Sequence, residues 1–389
     1  MNPTEPYPTA ARNVVYAQLP SQQLLLDLYR PDTPRRVPVV VYFHSGGWRS
    51  GSKDICKVQW LTEYGFAVVS ANYRLLPRYT FPEQVRDAKA VVRFLRARAD
   101  RFGLEPEQIV ATGLSSGAYL ASMLGVTAGH PELDKPPPLV GYAEFADEPT
   151  HVNAVVNYHG FTDFLALQND PTRRGQHRAA RAPEGQLLGH AVADNLNRAK
   201  LASPIQHVRE GLPPFLHLHG DRDEITPLDQ TRRFHAALQD YGVTSKFTLV
   251  RGAGHRASQM FTSPSIRDRV ADFLHRHLDT VGVRELSEES RLSDEARPPR
   301  PDDDTSSSEG SSITPALDDV FVTRSSKSQN APQPSAPLPT TPPRDDVDTA
   351  ETRRSPTGAA PAPPEPADPP TEPETKAWPY PPTPMPPKH

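Results

Sequence analysis

The sequence predicts a doubly wound α/β fold with a mostly parallel β-sheet. Two observations support this fold class. Short, continuously apolar segments recur along the chain, which is typical of strands buried on both faces of a sheet. Segments with helical spacing of apolar residues lie between them, and this alternation builds a parallel sheet with helices on both faces.

Six apolar segments are predicted as the strands of the parallel sheet. In chain order they are VPVVVYFH (37–44), FAVVSANY (66–73), QIVATG (108–113), NAVVNYH (153–159), FLHLHG (215–220) and KFTLV (246–250). A further segment, LLLDLYR (24–30), is predicted as an antiparallel strand at the edge of the sheet.

The predicted helices fall between these strands. The segment 82–102 has apolar residues at helical spacing, which places one apolar face against the sheet: Val85, Ala88, Val91, Val92 and Leu95. Further helices are predicted over 116–124, 227–241 and 266–278. The segment 161–203 is long, weakly periodic and basic in its middle, and a loop of that length in a compact domain is usually functional. We expect it to form a cap or lid over the strand ends.

The composition divides the chain of 389 residues into two regions. More than half of its 46 prolines lie after residue 283. Proline lacks the N–H that helices and sheets need, and this region has few large apolar residues. The sequence therefore predicts one folded domain over residues 10–282 and a disordered tail over 283–389.

Charge and cysteine content exclude several classes of function. The net charge is −4 with interspersed signs, so no basic surface for nucleic acid is expected. The single cysteine, Cys56, allows no internal disulfide and no cysteine-rich metal site. No signal peptide and no membrane span are recognisable, so a cytoplasmic protein is expected. No cofactor and no metal are predicted.

The segment GLSSG (113–117) matches the G-x-S-x-G pattern of a nucleophile elbow, with Ser115 at its centre. It follows an apolar strand and leads directly into a helical pattern, which is the strand–turn–helix setting that this elbow requires. Ser115 is therefore the candidate nucleophile. The neighbouring Ser116 is expected to act through its backbone N–H, so its side chain should be dispensable.

A serine hydroxyl needs a base, and the base needs a carboxylate to orient it. In this order of elements the acid precedes the histidine along the chain. HGDRDEITP (219–227) follows a strand and offers Asp221, Asp223 and Glu224. Asp223 is preferred and Asp221 is the main alternative. The candidate base is His255, in the glycine-flanked loop RGAGHRAS after the last strand.

Acyl transfer also needs backbone N–H groups directed at the developing oxyanion. HSGGW (44–48) follows a predicted strand, and its Gly46 and Gly47 would form this oxyanion hole together with the N–H of Ser116. The segment lacks the spacing of a phosphate-binding loop. His217 and His219 alternate along a predicted buried strand and are interpreted as hydrogen-bonded core histidines rather than metal ligands.

In this order of motifs the chain resembles the α/β-hydrolase superfamily, in particular the hormone-sensitive-lipase-like and feruloyl-esterase-like carboxylesterases. The resemblance extends over most of residues 24–279. It implies an oxyanion hole at Gly46 and Gly47 and a triad of Ser115, Asp223 and His255. Two departures stand out: Ser45 replaces the first glycine of the family's HGGG-type motif, and Arg78 stands where many relatives have a glutamate.

The resemblance predicts a serine carboxylesterase that cleaves small or aryl esters. The segment SSGAYLASML is also similar to kynurenine formamidases, which carry an H-G-G-x-W loop. An arylformamidase is therefore the alternative, and Trp48 is expected to line an acyl or aromatic pocket in either case. A remoter alternative is a non-catalytic binding module whose tail, through PTTPPR (339–344), binds a protein partner in polyproline II form.

Overall fold

The computed structural model describes residues 10–136, 145–167 and 182–278. Within these ranges eight strands form one sheet. They are β1 (Ala10–Leu19), β2 (Gln22–Tyr29), β3 (Val37–Phe43), β4 (Ala67–Ala71), β5 (Leu104–Leu114), β6 (Ala154–Tyr158), β7 (Phe215–Gly220) and β8 (Ser245–Val250).

The order of the strands across the sheet is β1-β2-β4-β3-β5-β6-β7-β8. All pairs from β4 to β8 are parallel, whereas β2 is antiparallel to both β1 and β4. The predicted fold class and the six parallel strands are confirmed. The antiparallel direction of segment 24–30 is also correct.

The position of segment 24–30 at the edge of the sheet is wrong, because β1 covers its outer side. β1 and β2 form a hairpin that closes at the pair Leu19–Gln22. The β1 segment escaped prediction because its pairing with β2 has two register shifts, and these break the alternation that identifies a half-buried strand.

The helices of the described residues connect these strands. They are α1 (Glu83–Ala97), α2 (Ala99–Phe102), α3 (Ser116–Val126), α4 (Phe164–Leu167), α5 (Pro183–Leu188), α6 (Leu196–Ala202), α7 (Leu228–Asp240), α8 (Gln259–Thr262) and α9 (Pro264–His277), with short 3₁₀ helices at Gln59–Tyr64, Val192–Asp194 and Pro204–His207. The four predicted helices correspond to α1 with α2, α3, α7 and α9.

Two apolar cores cover the two faces of the sheet. Alternate residues of β3 belong to different cores: Val39 and Val41 pack on the side of α1, α3 and α7, and Val40 packs on the side of α9. All seven residues of β3 are buried, although they point to both faces. This explains why the strand is continuously apolar rather than alternating.

The carboxyl ends of the parallel strands lie side by side at one edge of the sheet. Phe43 pairs with Gly113, Leu114 with Tyr158 and Gly220 with Val250. The loops that follow these strands therefore converge, as ligand sites do in open α/β sheets. They carry HSGGW, Ser115, Asp223 and His255.

Other predictions fall partly or wholly outside the described residues. Residues 283–389, predicted as a disordered tail, lie outside them, and so does the middle of segment 161–203. The described flanks of that segment contain α4, α5 and α6 between β6 and β7. None of the helices in the described ranges combines the length and the apolar content that a bilayer-spanning segment requires.

Candidate active site

Ser115 lies in a sharp turn between β5 and α3. Its backbone has φ 55° and ψ −115°, a conformation that non-glycine residues rarely adopt. Two backbone hydrogen bonds hold it: its N–H donates to the carbonyl of Tyr158 at 3.0 Å, and its own carbonyl accepts from the N–H of Tyr119 at 3.0 Å. The turn presents the Ser115 hydroxyl at the carboxyl edge of the sheet.

The two glycines of GLSSG are required by close backbone contacts. A Cβ on Gly117 would lie 1.9 Å from the carbonyl oxygen of Phe43, and a Cβ on Gly113 would lie 2.3 Å from the backbone of Gly117. Any side chain at these positions would separate α3 from β3 and β5. The steric reason for this spacing is therefore visible in the fold.

Asp223 and His255 extend from Ser115 as a chain of hydrogen bonds. The Ser115 Oγ lies 2.9 Å from His255 Nε2, and His255 Nδ1 lies 2.8 Å and 2.9 Å from the two carboxylate oxygens of Asp223. Because the carboxylate only accepts, Nδ1 carries the proton, and the lone pair of Nε2 faces the serine hydroxyl. The three residues singled out from the sequence thus come together.

The alternative acid, Asp221, faces another way. It is exposed, and its carboxylate accepts the N–H of Gly252 at 2.6 Å, which fastens the turn that precedes His255. Glu224 is also exposed. Of the three carboxylates in this loop, Asp223 is therefore the one in contact with the imidazole.

Asp223 is held as a carboxylate by its surroundings. Its side chain is completely buried, and burial alone would raise its pKa. Hydrogen bonds from His219 and His255, with the charge of His255, outweigh burial and hold the pKa well below its usual range. The N–H groups of Ile225 and Thr226 also donate to its Oδ1, at 2.9 Å and 2.8 Å. Asp223 is therefore ionised at neutral pH.

The HSGGW loop follows β3 and exposes unpaired amides. Gly46 and Gly47 have φ of 128° and 60°, values that favour glycine. Among the described residues, neither of their N–H groups donates to a protein acceptor. Ser45 lies outside the positive-φ region, so a Cβ is tolerated at this position. Ser116 is the first residue of α3, and its N–H has no partner within the helix.

The loop after β4 packs against the HSGGW loop and holds its backbone in place. The Tyr73 ring stacks on His44 at 4.3 Å, and its hydroxyl donates to the His44 carbonyl at 2.9 Å. The N–H of Leu76 donates to the carbonyl of Trp48 at 2.8 Å. Arg74 in turn donates to the buried carboxylate of Asp87 on α1 at 2.7–2.9 Å. These contacts fix the amides before any ligand arrives.

Trp48 is fully buried beside this loop. Its ring packs against Tyr119 at 5.3 Å, Phe161 at 5.7 Å and Phe164 at 6.3 Å. Its indole N–H has no hydrogen-bond partner among the described residues. The role of Trp48 as a pocket-lining residue stays a prediction, and its place beside the oxyanion loop is compatible with it.

Two histidines near the triad had no part in the predicted site. His219 lies with its Nε2 3.4 Å from Asp223 Oδ2, and its Nε2–H is shared between this oxygen and the Thr226 carbonyl, which lies 3.0 Å away. His159, the residue after β6, has its Nδ1 3.5 Å from the same oxygen. The sequence feature that could have identified His159 is its position at the end of a strand next to the elbow.

The interpretation of His217 and His219 as hydrogen-bonded core residues holds for one of them. His219 also accepts from the Thr231 hydroxyl at 2.7 Å. His217 is equally buried but makes no hydrogen bond among the described residues, and it packs against the rings of Phe215 and Phe234. Burial lowers the pKa of His217 to about 3, so its ring is neutral.

Comparison with known proteins shows that this chain is similar to esterases. The model of the BD-FAE family matches residues 26–238. The chain is 33% identical to the esterase LipQ of Mycobacterium tuberculosis over 260 residues, which cover 64% of this chain and 58% of LipQ. It is 31% identical to the esterase LipC of the same organism over 250 residues, which cover 63% of this chain and 59% of LipC. The chain thus spans less than two thirds of these curated relatives.

Among solved structures, a truncated carbohydrate esterase from gut microbiota has a similar fold. It superposes with a TM-score of 0.60 at 27% identity, and the alignment covers 72% of this chain and 97% of that protein. The match includes nearly the whole of a protein that is itself described as an esterase.

Proposed function

Because the chain belongs to the BD-FAE family of α/β-hydrolase esterases, we propose that it is a serine carboxylesterase that hydrolyses small or aryl carboxylic esters. The observation that carries this proposal is the hydrogen-bonded chain from the Ser115 hydroxyl through His255 to the buried carboxylate of Asp223. The names of the relatives LipQ and LipC support ester hydrolysis.

The first half of the reaction acylates the serine. The Ser115 Oγ attacks the ester carbonyl while its proton passes to His255 Nε2. The negative charge of the tetrahedral intermediate falls on the former carbonyl oxygen, where the N–H groups of Gly46, Gly47 and Ser116 receive it. His255 then gives its proton to the departing alkoxide, and an acyl-enzyme on Ser115 remains.

The second half of the reaction returns the enzyme to its first state. Water attacks the acyl carbon while His255 takes a proton from it, and collapse of the intermediate restores the Ser115 hydroxyl and releases the carboxylic acid. Asp223 stays ionised throughout, holds the Nδ1–H tautomer and stabilises the imidazolium.

The surroundings of the oxyanion loop favour small acyl groups. Trp48 directly follows Gly47, its ring packs against Tyr119 on α3 and against Phe164, and all three side chains are completely buried. A long acyl chain would have to displace this aromatic packing. The carbohydrate esterase of similar fold suggests acetylated sugars as one substrate class to test.

A panel of substrates tests the proposal. We expect turnover of p-nitrophenyl acetate that falls as the acyl chain lengthens, and loss of turnover in Ser115→Ala. Feruloyl esters, acetylated sugars and N-formylkynurenine complete the panel. Preference for N-formylkynurenine over every ester would establish the arylformamidase alternative. Undiminished ester turnover by Ser115→Ala would refute the proposal.

A further inference from the structure

His159 is an unusual neighbour for a catalytic triad. It is completely buried, has a positive φ of 44°, and neither ring nitrogen has a hydrogen-bond partner among the described residues. An unsatisfied buried polar group costs free energy, and such groups are rare in native proteins. Its ring packs edge-on against His255 with centroids 4.3 Å apart.

The ring nitrogens of two histidines converge on one carboxylate oxygen. Nδ1 of His159 lies 3.5 Å from Asp223 Oδ2, and Nδ1 of His255 lies 2.8 Å from the same atom. One ligand atom from each residue lies within 4.8 Å of the other two. Tetrahedral zinc with Zn–N bonds of ~2.0 Å separates its ligand atoms by roughly 3.3 Å. The His159 Nδ1–Asp223 Oδ2 distance is thus already close to this separation, and the His255 Nδ1–Asp223 Oδ2 distance is about 0.5 Å shorter than it.

The ligand set is suited to a borderline metal rather than to a hard one. Two imidazoles and one carboxylate are typical of Zn²⁺ sites, whereas Mg²⁺ and Ca²⁺ prefer oxygen ligands. Neither ring nitrogen of His159 has a hydrogen-bond partner among the described residues, so the lone pair of its ring is free to bind a metal. His219 is not available, because its Nε2–H donates to a backbone carbonyl.

We propose that His159, Asp223 and His255 form an inhibitory binding site for Zn²⁺ and similar transition-metal ions. The inhibition rests on the proposed esterase function. Zn²⁺ binds the Nδ1 lone pair of the other neutral tautomer of His255, in which the single ring proton has moved from Nδ1 to Nε2. That nitrogen can then no longer accept the proton of Ser115, so the serine is not activated. Of the three ligand side chains, that of His255 is 13% exposed, whereas those of His159 and Asp223 are completely buried.

Zinc binding and zinc inhibition are measured separately, by calorimetry and by p-nitrophenyl acetate hydrolysis. We expect one Zn²⁺ per chain and inhibition that EDTA reverses, with no effect of Mg²⁺. His159→Gln should weaken both zinc binding and inhibition by roughly tenfold or more, with each activity expressed relative to that variant without metal. The matched control His130→Gln, in the loop after α3, should bind zinc as the wild type does.

Ser115→Ala separates failure of the site from failure of the proposed function. This variant should bind zinc with unchanged affinity, because Ser115 supplies no ligand. If the wild type binds zinc but has no esterase activity, the proposed function is refuted and the proposed metal site is supported. Equal zinc affinity in the wild type and His159→Gln would overturn the site.

A measurement on the wild type tests the site even if the His159→Gln variant misfolds. X-ray absorption of the wild type with one equivalent of zinc should show two imidazole ligands. A coordination shell of oxygen atoms alone would overturn the site in the same way.

Discussion

Asp221 and Asp223 are two residues apart in one loop, and they provide a matched test at the scale of single residues. Asp223→Asn should lower kcat by about 10⁴-fold at neutral pH, because an amide no longer selects the Nδ1–H tautomer of His255. Asp221→Asn should lower kcat much less, since the Asp221 carboxylate accepts a hydrogen bond from Gly252 and stabilises that turn. Steady-state kinetics of both variants measure this difference, and equal losses would mean that the acid has been misassigned.

The residues of the candidate site differ in how visible they are in the sequence. Ser115 is identified by its flanking glycines, because these mark a close approach of backbone segments. The sequence distinguishes Asp223 from Asp221 less sharply. Both residues follow the same strand, and the direction of each side chain depends on the conformation of the turn. Almost nothing in the sequence marks His159 as part of the site. Its neighbours there, Asp223 and His255, lie in the loops after β7 and β8, far from it along the chain.

At the scale of elements, the packing of α3 against β3 depends on the absence of a side chain at Gly117. Gly117→Ala places a Cβ 1.9 Å from the Phe43 carbonyl oxygen, so the elbow must shift. We expect a loss of several kcal/mol in the free energy of unfolding together with loss of esterase activity. Denaturant unfolding and p-nitrophenyl acetate kinetics measure the two effects.

Gly211→Ala is the control for the elbow substitution. Gly211 also lies in a loop and has a φ of 73°, but a Cβ there would meet nothing within 4 Å. Gly211→Ala should lower the free energy of unfolding by only about 1 kcal/mol, through backbone strain, and leave activity intact. If Gly117→Ala were as mild as this control, the steric account of the elbow would be wrong.

α1 carries a buried lysine that makes stability depend on pH. Lys89 donates to the Thr127 carbonyl at 2.8 Å and to Asp134 at 2.9 Å. Burial lowers its pKa to about 8, although the charge of Asp134 opposes this. Between that value and the ordinary lysine pKa of ~10.4, the unfolded chain binds more protons than the native one. The contribution of Lys89 to stability therefore rises with pH across this window.

Lys89→Met isolates this contribution. The free energy of unfolding of the wild type minus that of the variant should increase between pH 8 and pH 10, by an amount on the order of 2 kcal/mol. Unfolding by urea at several pH values gives this difference. A difference that stays constant or falls with rising pH would contradict the burial of a lysine with a lowered pKa.

At the scale of the whole molecule, the composition of the chain predicts where the catalytic unit ends. A truncation after residue 282 should keep the kcat/KM of the full chain for p-nitrophenyl acetate within about twofold, because the elements that carry the candidate site end with α9 at His277. Kinetics and thermal unfolding of the two proteins measure this. Loss of folding or activity would show that the tail region contributes to the domain.

The parallel part of the sheet was predictable because its strands are buried on both faces and so are continuously apolar. β1 was not, because its register shifts disturb the pattern that a sequence can show. Segment 24–30 was consequently placed at the edge of the sheet, when β1 in fact covers it. Convergence of the site loops follows from the parallel order itself, which is why Ser115, Asp223 and His255 could be brought together from sequence alone.

Covalent labelling with a fluorophosphonate, followed by mass spectrometry of the labelled peptide, tests most directly the claim that Ser115 is an activated nucleophile. We expect one label per chain on Ser115 in the wild type and in Ser116→Ala, since Ser116 contributes only its backbone N–H. We expect no label in Ser115→Ala. An unlabelled wild type, or a label that persists in Ser115→Ala, would contradict the account.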